Sequence, residues 1–192
     1  EIVKGVVDAV HANDHVKVYL TGQEELVRRE LEKYTYPADR IEVVNATEVI
    51  ETAEPPVMAI RRKKDSSMTV ALNLLRDGKG DAVVSAGSTG ALLTGATLIV
   101  KRINGIRRAA MAPVLPAGER GVMLIDCGAN AECTPEYLVQ FAYLGSFYAQ
   151  QVLGLARPRV GLLNIGAEDS KGTDLQKQTL ARLKEADAAG HL

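Results

Sequence analysis

Neither charge sign is in excess in this sequence, because its 192 residues include 23 Lys and Arg against 24 Asp and Glu, for a formal net charge of −1. A nucleic-acid-binding domain usually carries a basic excess, so that class of function is disfavoured. The sequence also has no apolar run near the ~20 residues that a helix needs to cross a bilayer. Together with ordinary apolar and charged fractions, these absences predict a soluble, cytoplasmic globular protein.

Cysteine and histidine are too few and too scattered for a disulfide framework or a zinc site. The two cysteines, Cys127 and Cys133, lie six positions apart without a CxxC pattern. They are predicted to be free thiols in a reducing compartment. His11 and His15 are separated by Asn13-Asp14, which should end the helix between them, so both are predicted to lie on the surface. We therefore expect no metal ion and no cofactor.

Three common signatures of catalysis or nucleotide binding are missing. The sequence contains no P-loop and no Gly-x-Ser-x-Gly nucleophile elbow, and Ser85 and Ser88 have no histidine close to them in sequence. Gly87-Ser-Thr-Gly90 is only half of a dinucleotide-binding fingerprint. The residues present favour chemistry on a small anion through positioning and electrostatics, without a covalent protein intermediate.

Helical and strand patterns alternate along the whole chain, which predicts an α/β fold. Continuous apolar strands favour a mostly parallel sheet with helices on both faces, a three-layer αβα arrangement. Helices are predicted over 2–12, 24–34, 57–64, 67–75, 92–102, 134–152 and 174–186, and strands over 16–20, 40–44, 81–85, 109–115, 122–126 and 160–165.

We expect a single α/β domain over residues 1–192, because no linker long enough to mark a second domain is visible. The sequence begins inside a helical pattern and stops where another strand is expected. This predicts a piece of a longer chain that lacks both ends.

The stretch 81–91 is the strongest candidate for an anion site. A short apolar run ends in Ser85-Ala-Gly-Ser-Thr-Gly90, and a helical pattern follows. Backbone N–H groups at a helix N-terminus, together with hydroxyl groups and the helix dipole, attract anions, and glycine lets a ligand approach the backbone. An ordinary capped turn between a strand and a helix would have the same pattern. The candidate residues are Ser85, Gly87, Ser88, Thr89 and Gly90.

Two further predicted strands end in similar polar and glycine residues. They are followed by Asp126-Cys-Gly-Ala-Asn130 and by Asn164-Ile-Gly-Ala-Glu-Asp-Ser-Lys-Gly172. Ligands of parallel α/β sheets bind at the carboxyl ends of the strands, so we expect the three loops to converge on one cleft. Each pattern by itself is also typical of a plain turn. The candidates in these two loops are Asp126, Gly128, Asn130, Asn164, Gly166, Glu168 and Lys171.

Four consecutive cations, Arg61-Arg-Lys-Lys64, precede Asp65-Ser-Ser67. Neighbouring residues on a helix point in different directions, so at most one or two of these cations can address a single site. They could clamp a phosphate, dock an acidic partner or form a solvated surface. Ser66 or Ser67 is predicted to cap the helix that follows.

Four motifs, taken together in their order and spacing, resemble the bacterial phosphate acyltransferase family, PlsX. They are Arg61-Arg-Lys-Lys-Asp-Ser-Ser-Met68, Ser85-Ala-Gly-Ser-Thr-Gly-Ala91, Asp126-Cys-Gly-Ala-Asn130, and Pro158-Arg-Val-Gly-Leu-Leu-Asn-Ile-Gly166 with Glu168 and Lys171-Gly172. The resemblance covers essentially the whole chain. It implies an acyl-ACP:phosphate acyltransferase, which moves a long-chain acyl group from the thioester of acyl carrier protein to inorganic phosphate and gives acyl phosphate for phospholipid synthesis.

The resemblance also carries expectations about fold and assembly. It implies a fold like that of isocitrate and isopropylmalate dehydrogenases and of phosphate acetyltransferase, usually in a homodimer. Members of the family are cytoplasmic and can associate peripherally with the membrane.

This sequence departs from the family pattern in four places. The glycine-rich N-terminal segment of the Asp-Ala-Met-Gly-Gly-Asp type and the C-terminal portion are not found in it. Ser88 stands where Asn is usual, and Cys127 stands where Val is expected. Because Ser88 still offers a hydroxyl group, anion binding is expected to survive.

The residues and the resemblance together predict a role for each candidate. Phosphate is expected on the 85–90 loop, with Lys64 or Lys171 balancing its charge. Its oxygen would attack the thioester carbonyl while Asn130 or Asn164 stabilises the developing oxyanion. The predicted catalytic residues are therefore Asn130, Asn164 and Lys171, and Arg61 and Arg62 are the candidates for docking the acidic carrier protein.

Two other functions stay open at this point. A phosphate acetyltransferase of the same fold would take its acyl group from a CoA thioester. A non-catalytic module would bind an acyl or phosphate ligand without turnover. A dehydrogenase of this fold is disfavoured, because the sequence has no cluster of carboxylates typical of a metal site.

Overall fold

The computed structural model describes residues 1–118, 121–168, 170–190 and 192. The chain divides into two compact units, Glu1–Arg102 and Ile103–Leu192. The prediction of one α/β domain over 1–192 stays a prediction.

The first unit begins with helices that pack on a parallel pair of strands. Its elements are α1 (Ile2–Ala12), β1 (Val18–Gly22), α2 (Glu24–Leu31), β2 (Ile41–Asn45), α3 (Pro56–Arg62), α4 (Ser67–Arg76) and α5 (Thr89–Gly95), and a π-helical segment, Ala96–Val100, follows α5. Strands β1 and β2 pair from Val18 opposite Ile41 to Gly22 opposite Asn45. The core between helices and strands is built from Val7, Val10, Leu20, Leu31 and Ile41.

Helices α3, α4 and α5 form a second core in the same unit, around Ile60, Met68, Leu72 and Ala91. Glycine allows α5 to approach its neighbours closely. A Cβ atom at Gly95 would lie 3.1 Å from Cδ1 of Ile60 and closer still to Cδ1 of Leu72. The spacing of these helices therefore depends on the absence of a side chain at this position.

The second unit contains a short antiparallel strand pair and two long helices. These are β3 (Val114–Leu115), β4 (Val122–Met123), α6 (Pro135–Gln151) and α7 (Asp174–Ala188). Thr134 caps α6, because its hydroxyl oxygen accepts a hydrogen bond from the Tyr137 N–H at 3.3 Å, and Pro135 occupies the first turn. Thr173 and Gln176 form a capping box at the start of α7. Phe141 is buried on α6.

The predicted helices are confirmed, with shifted ends. Helix α5 begins at Thr89 rather than at residue 92, because the Ser88 hydroxyl accepts a hydrogen bond from the Ala91 N–H at 3.3 Å and starts the helix earlier. Helix α1 ends at Ala12, and His11 and His15 are exposed as predicted. Cys127 and Cys133 are free thiols. None of the helices in the described part of the chain has the length and apolarity to cross a membrane.

Several predicted strands are wrong or much shorter. Within the described residues, 81–85 and 160–165 pair with no other strand, and only two residues each of 109–115 and 122–126 do so, in an antiparallel pair. The apolar side chains that should have been buried are exposed: Val84 is 97% exposed, Leu163 79% and Ile165 87%. An apolar run becomes a strand only when a neighbouring strand takes its backbone hydrogen bonds, and no such neighbour is present in the described part of the chain.

Candidate functional site

The 85–90 loop leads into a helix as the sequence predicts, although 81–85 before it pairs with no other strand among the described residues. Ser85 Oγ accepts a hydrogen bond from the Gly87 N–H at 3.1 Å, and the Ser88 hydroxyl is spent on the cap of α5. Ser88 is buried, whereas Ser85, Gly87 and Thr89 are exposed. The groups of this loop that remain open to a ligand are therefore the hydroxyls of Ser85 and Thr89 and the Thr89 N–H, whereas the Gly87 N–H is already donated.

Gly87 and Gly90 allow the 85–90 loop to pack closely against helices α3 and α4. A Cβ atom at Gly90 would lie 2.8 Å from Cγ of Pro56, so α5 starts in close contact with the start of α3. A Cβ atom at Gly87 would lie 3.4 Å from Cε of Met68, in the first turn of α4. The 85–90 loop thus lies beside both neighbouring helices of the first unit.

The four consecutive cations do not form one patch. The Lys63 ammonium lies 2.5 Å from the Glu54 carboxylate and also donates to the Val49 carbonyl, and hydrogen bonding to Lys63 lowers the pKa of Glu54. Lys64 Nζ donates to the Ile60 carbonyl at 3.3 Å. Arg61 and Arg62 are exposed, and the side chain of neither makes a hydrogen bond or an ion pair within the described residues. These two arginines are therefore the cations free to meet a partner, whereas Lys63 has a structural role.

The segment that follows the cations is fastened to the carboxyl ends of the parallel strands. Asp65 accepts hydrogen bonds from the N–H and the hydroxyl of Thr47, just beyond β2, and these bonds lower its pKa. Thr21, near the end of β1, donates its hydroxyl to the Ser67 carbonyl at 3.0 Å. Ser66 is fully buried and caps α4, as predicted for Ser66 or Ser67. The cations are thus held at the strand ends, where ligands of parallel sheets bind.

Asp126 is the centre of a hydrogen-bond network in the second unit. Its carboxylate accepts the N–H groups of Met111 at 2.8 Å, Ala129 at 3.2 Å and Asn130 at 2.8 Å. Partial burial by itself raises the pKa of this carboxyl, but the hydrogen bonds from Met111, Asn130 and Ala129 outweigh burial and lower the pKa. The carboxylate therefore stays ionised at neutral pH and holds the turn in place.

Asn130 is committed to the same network. Its Nδ2 donates to the Ala109 carbonyl at 2.9 Å and to Asp126 Oδ2 at 3.2 Å, so both amide hydrogens are used. Gly128, with φ 92°, adopts the left-handed conformation that the turn requires. The N–H groups of residues 127, 129 and 130 all donate hydrogen bonds. Of the positions 127–130, Gly128 alone has an N–H that makes no hydrogen bond within the described residues.

The Cys133 thiol beside this turn is not activated. Burial, and then the charge of Asp126, raise the pKa of the Cys133 thiol. A protonated thiol is a poor nucleophile, so the environment of Cys133 agrees with chemistry that needs no covalent protein intermediate.

The 164–172 loop closes on itself through Asn164. The side-chain amide of Asn164 donates to the Lys171 carbonyl at 3.1 Å, and its oxygen accepts the Ile165 N–H at 2.9 Å. A Cβ atom at Gly166 would lie 2.7 Å from Oε2 of Glu168. Glu168 and Lys171 are exposed, and residue 169 lies outside the described residues. This loop leads directly into the capping box of α7.

The predicted site residues are divided between the two units. Lys64 and the 85–90 loop belong to the first unit, and the 126–130 and 164–172 loops belong to the second. Among the described residues no hydrogen bond joins the two loops of the second unit. The convergence of all three loops on one cleft stays a prediction.

A cluster beside the 126–130 turn was missed at the sequence level. Gln140 of α6 accepts the Arg107 N–H at 2.9 Å and donates to the Gly105 carbonyl at 2.9 Å. Arg107 pairs with Glu136 at 3.0 Å, and the guanidinium carbon of Arg108 lies 5.7 Å from the centre of the Tyr137 ring. The adjacent arginines after a glycine turn were a visible signal, but their partners lie about 30 residues further along the chain.

The second unit also contains an open groove of about 960 Å³ between α6, α7 and the segment 156–162, with polar and apolar lining in nearly equal shares. Arg157, Arg159, Lys184 and Asp187 are among the charged residues of the lining. Its apolar lining includes Phe147, Val160, Leu162, Leu180 and Leu183. Within the described residues, no group of three or more His, Cys, Asp or Glu side chains could hold a metal ion.

The sequence model of a family described as "Fatty acid synthesis protein" matches residues 1–191. The chain belongs to this family. It is 50% identical over 185 residues to the phosphate acyltransferase of Clostridium acetobutylicum, and 50% identical over 186 residues to that of Clostridium kluyveri. These matches cover 96% and 97% of this chain but 56% and 55% of the relatives, so the chain spans little more than half of their length. The resemblance to the PlsX family is confirmed.

A solved structure of a more distant member of the fold agrees with the α/β assignment. The EutD phosphotransacetylase from Staphylococcus aureus superposes with a TM-score of 0.68 at 21% identity, covering 97% of this chain and 62% of that one. At this identity the likeness concerns the fold. The structural likeness and the parallel pair β1–β2 together establish a mixed α/β fold for this protein.

Proposed function

We propose that this protein is an acyl-ACP:phosphate acyltransferase that transfers a long-chain acyl group to inorganic phosphate and supplies acyl phosphate for phospholipid synthesis. The observation that carries the proposal is the 50% identity, over nearly the whole chain, to relatives named phosphate acyltransferase. The finer fold, a three-layer αβα arrangement like that of isocitrate and isopropylmalate dehydrogenases, belongs to the same proposal. The proposal also includes a homodimer and a peripheral association with the membrane.

Phosphate binds, in this proposal, at the 85–90 loop. The exposed hydroxyls of Ser85 and Thr89 supply donors, the Gly87 N–H orders Ser85, and buried Ser88 keeps the helix start in place. The Lys64 ammonium, whose contact in this structure is a 3.3 Å bond to a backbone carbonyl, supplies the balancing charge. Positioning and electrostatics of this kind are the main resources for reactions of phosphate groups.

The acyl transfer follows from that placement. A phosphate oxygen forms a bond to the thioester carbonyl carbon, the C–S bond breaks, and the thiolate leaves and takes up a proton. The hydrogen bonds of Asn130 favour a role in holding the turn, so the donor that this turn offers to the oxyanion is the Gly128 N–H. Asn164 and Lys171 act at the 164–172 loop, where the Asn164 side-chain amide donates a hydrogen bond to the Lys171 carbonyl and orders that residue.

In this proposal the acyl chain lies against the leucine and phenylalanine side chains of the groove between α6, α7 and the segment 156–162. The groove volume of about 960 Å³ lies within the range of ligand pockets, which is about 300–1,000 Å³.

The test is to incubate the full-length protein with palmitoyl-ACP and inorganic phosphate and to trap acyl phosphate as its hydroxamate. We expect hydroxamate that depends on phosphate, with little formed from palmitoyl-CoA or acetyl-CoA. Activity with the CoA thioesters alone would identify an enzyme of the phosphate acetyltransferase type. Tight ligand binding with no product from any donor would identify a non-catalytic binding module and overturn the proposal.

A further inference from the structure

Arg107 and Arg108 are adjacent in sequence but have different environments. Arg107 Nε lies 3.0 Å from Glu136 Oε1, so its charge is paired. The Arg108 guanidinium carbon lies 5.7 Å from the centre of the Tyr137 ring, and within the described residues no carboxylate pairs with it. Both side chains are exposed. Arg108 is therefore an ordered cation that keeps its charge available.

The backbone on both sides of Arg108 is fixed. On the N-terminal side, Gln140 of α6 accepts the Arg107 N–H and donates to the Gly105 carbonyl, both at 2.9 Å. On the C-terminal side, the Asn130 amide donates to the Ala109 carbonyl at 2.9 Å. Since the Tyr137 ring also limits the freedom of the side chain, the conformational entropy lost when Arg108 binds a ligand is reduced.

The backbone link between Arg108 and the 126–130 turn is the carbonyl of the next residue, Ala109, which accepts a hydrogen bond from the Asn130 amide. The Asp126 carboxylate of this turn directs its oxygens to the N–H groups of Met111, Ala129 and Asn130, and it forms no ion pair with Arg108 within the described residues.

A guanidinium group that stacks on an aromatic face still presents its N–H groups in its own plane. This planar fork matches two oxygens of a phosphate group and binds them with two parallel hydrogen bonds. A preordered arginine without an acidic partner is the arrangement that such binding requires.

We propose that Arg108 binds a phosphate group of a substrate beside the 126–130 turn, with Tyr137 and Gln140 as positioning residues. The proposal rests on the acyltransferase function proposed above. The phosphate group belongs either to inorganic phosphate or to the phosphodiester of the acyl donor, and the two sources share the same chemistry.

The experiment measures steady-state rates in two arms, one varying inorganic phosphate and one varying the acyl donor. Arg108→Gln should raise one KM roughly tenfold, the loss expected when a bidentate charged contact is removed, and Arg108→Lys should restore only part of it. A rise confined to phosphate identifies inorganic phosphate, and a rise confined to the donor identifies its phosphodiester. Unchanged KM values in both arms overturn the proposal.

Matched variants separate charge, stacking and simple surface effects. Arg107→Gln removes the neighbouring, paired charge and should leave both KM values within about twofold of the original protein. Tyr137→Leu removes the ring while Arg108 keeps its charge, and it should raise the same KM as Arg108→Gln by a smaller factor. Tyr137→Phe keeps the ring and should behave like the unchanged protein. An equal effect of Arg107→Gln would reduce Arg108 to a general surface charge.

A binding measurement keeps this inference independent of turnover. Inorganic phosphate, and separately the acyl donor, should raise the unfolding temperature of the protein, and Arg108→Gln should lose most of that shift for one of them. If the protein forms no acyl phosphate, the acyltransferase proposal fails, and this arm still decides whether Arg108 binds phosphate. A shift that Arg108→Gln leaves intact with both ligands contradicts the role of Arg108.

Discussion

Asp126 illustrates what single residues do in this protein. Its place after an apolar run predicts a carboxylate that touches substrate, but the structure turns its oxygens towards three backbone N–H groups. One of these belongs to Met111, fifteen positions earlier, so the carboxylate joins two segments of the second unit.

The lowered pKa of Asp126 gives a prediction of pH dependence. A carboxyl whose pKa is lower in the folded state than in the unfolded state adds stability above its unfolded pKa of about 3.9, and this stability is lost as the pH falls through the folded value. The difference in free energy of unfolding between the original protein and Asp126→Asn should therefore be constant above about pH 5 and shrink below about pH 4. Denaturant unfolding at a series of pH values measures it.

Asp39→Asn serves as the control, because Asp39 is exposed and makes no hydrogen bond through its side chain within the described residues. Its effect should be small at every pH. If the Asp126→Asn difference stayed the same down to pH 3, the carboxylate would not stabilise the network.

At the level of secondary-structure elements, two helical glycines offer a direct comparison. Gly5 in α1 has no atom within 4 Å of the position that a Cβ would occupy, whereas a Cβ at Gly95 in α5 would meet Ile60 and Leu72. Gly5→Ala should raise the free energy of unfolding by about 0.5–1 kcal/mol through helix propensity. Gly95→Ala gains the same propensity but overpacks a buried contact at a cost of about 1–3 kcal/mol, so it should lower stability by about 1 kcal/mol.

Thermal or denaturant unfolding of the two variants measures this difference. Equal stabilisation by both substitutions would mean that α3, α4 and α5 can separate without cost. Destabilisation by Gly5→Ala as well would contradict the helix-propensity argument for α1.

Helices were predicted better than strands because their signals are local. Ser66, Ser88 and Thr134 each cap the helix that the sequence places after them, and a cap needs only a hydroxyl within three residues. A strand needs hydrogen bonds from a distant segment, and periodicity cannot show whether that segment is present. The apolar runs at 81–85 and 160–165 therefore read as buried strands, although their side chains are exposed in this structure.

At the scale of the whole molecule, the free cations of the first unit are the predicted contact with the carrier protein. Arg61→Glu should raise the KM for acyl-ACP about fivefold, which corresponds to about 1 kcal/mol, and leave the dependence on phosphate unchanged. Arg29→Glu is a matched charge reversal at an exposed arginine of α2 that makes no ion pair among the described residues. It should change neither the KM for acyl-ACP nor the dependence on phosphate. Rate measurements with purified acyl-ACP test both variants, and equal effects of the two would indicate an effect of net charge instead of docking.

The sequence by itself determined the helices, their caps, the free thiols and the membership of the fatty acid synthesis family, because each depends on residues that are close together or on identity along the chain. It also placed each candidate loop before a helix that the structure contains, although the strands predicted over 81–85 and 160–165 are not formed within the described residues. Only the tertiary structure decided how the side chains are used. Lys63 forms an ion pair, whereas the side chains of Arg61 and Arg62 form none within the described residues. The Asn130 side chain donates a hydrogen bond to a carbonyl 21 residues earlier, and the Gln140 side chain donates one to a carbonyl 35 residues earlier. These contacts join segments that no local pattern relates.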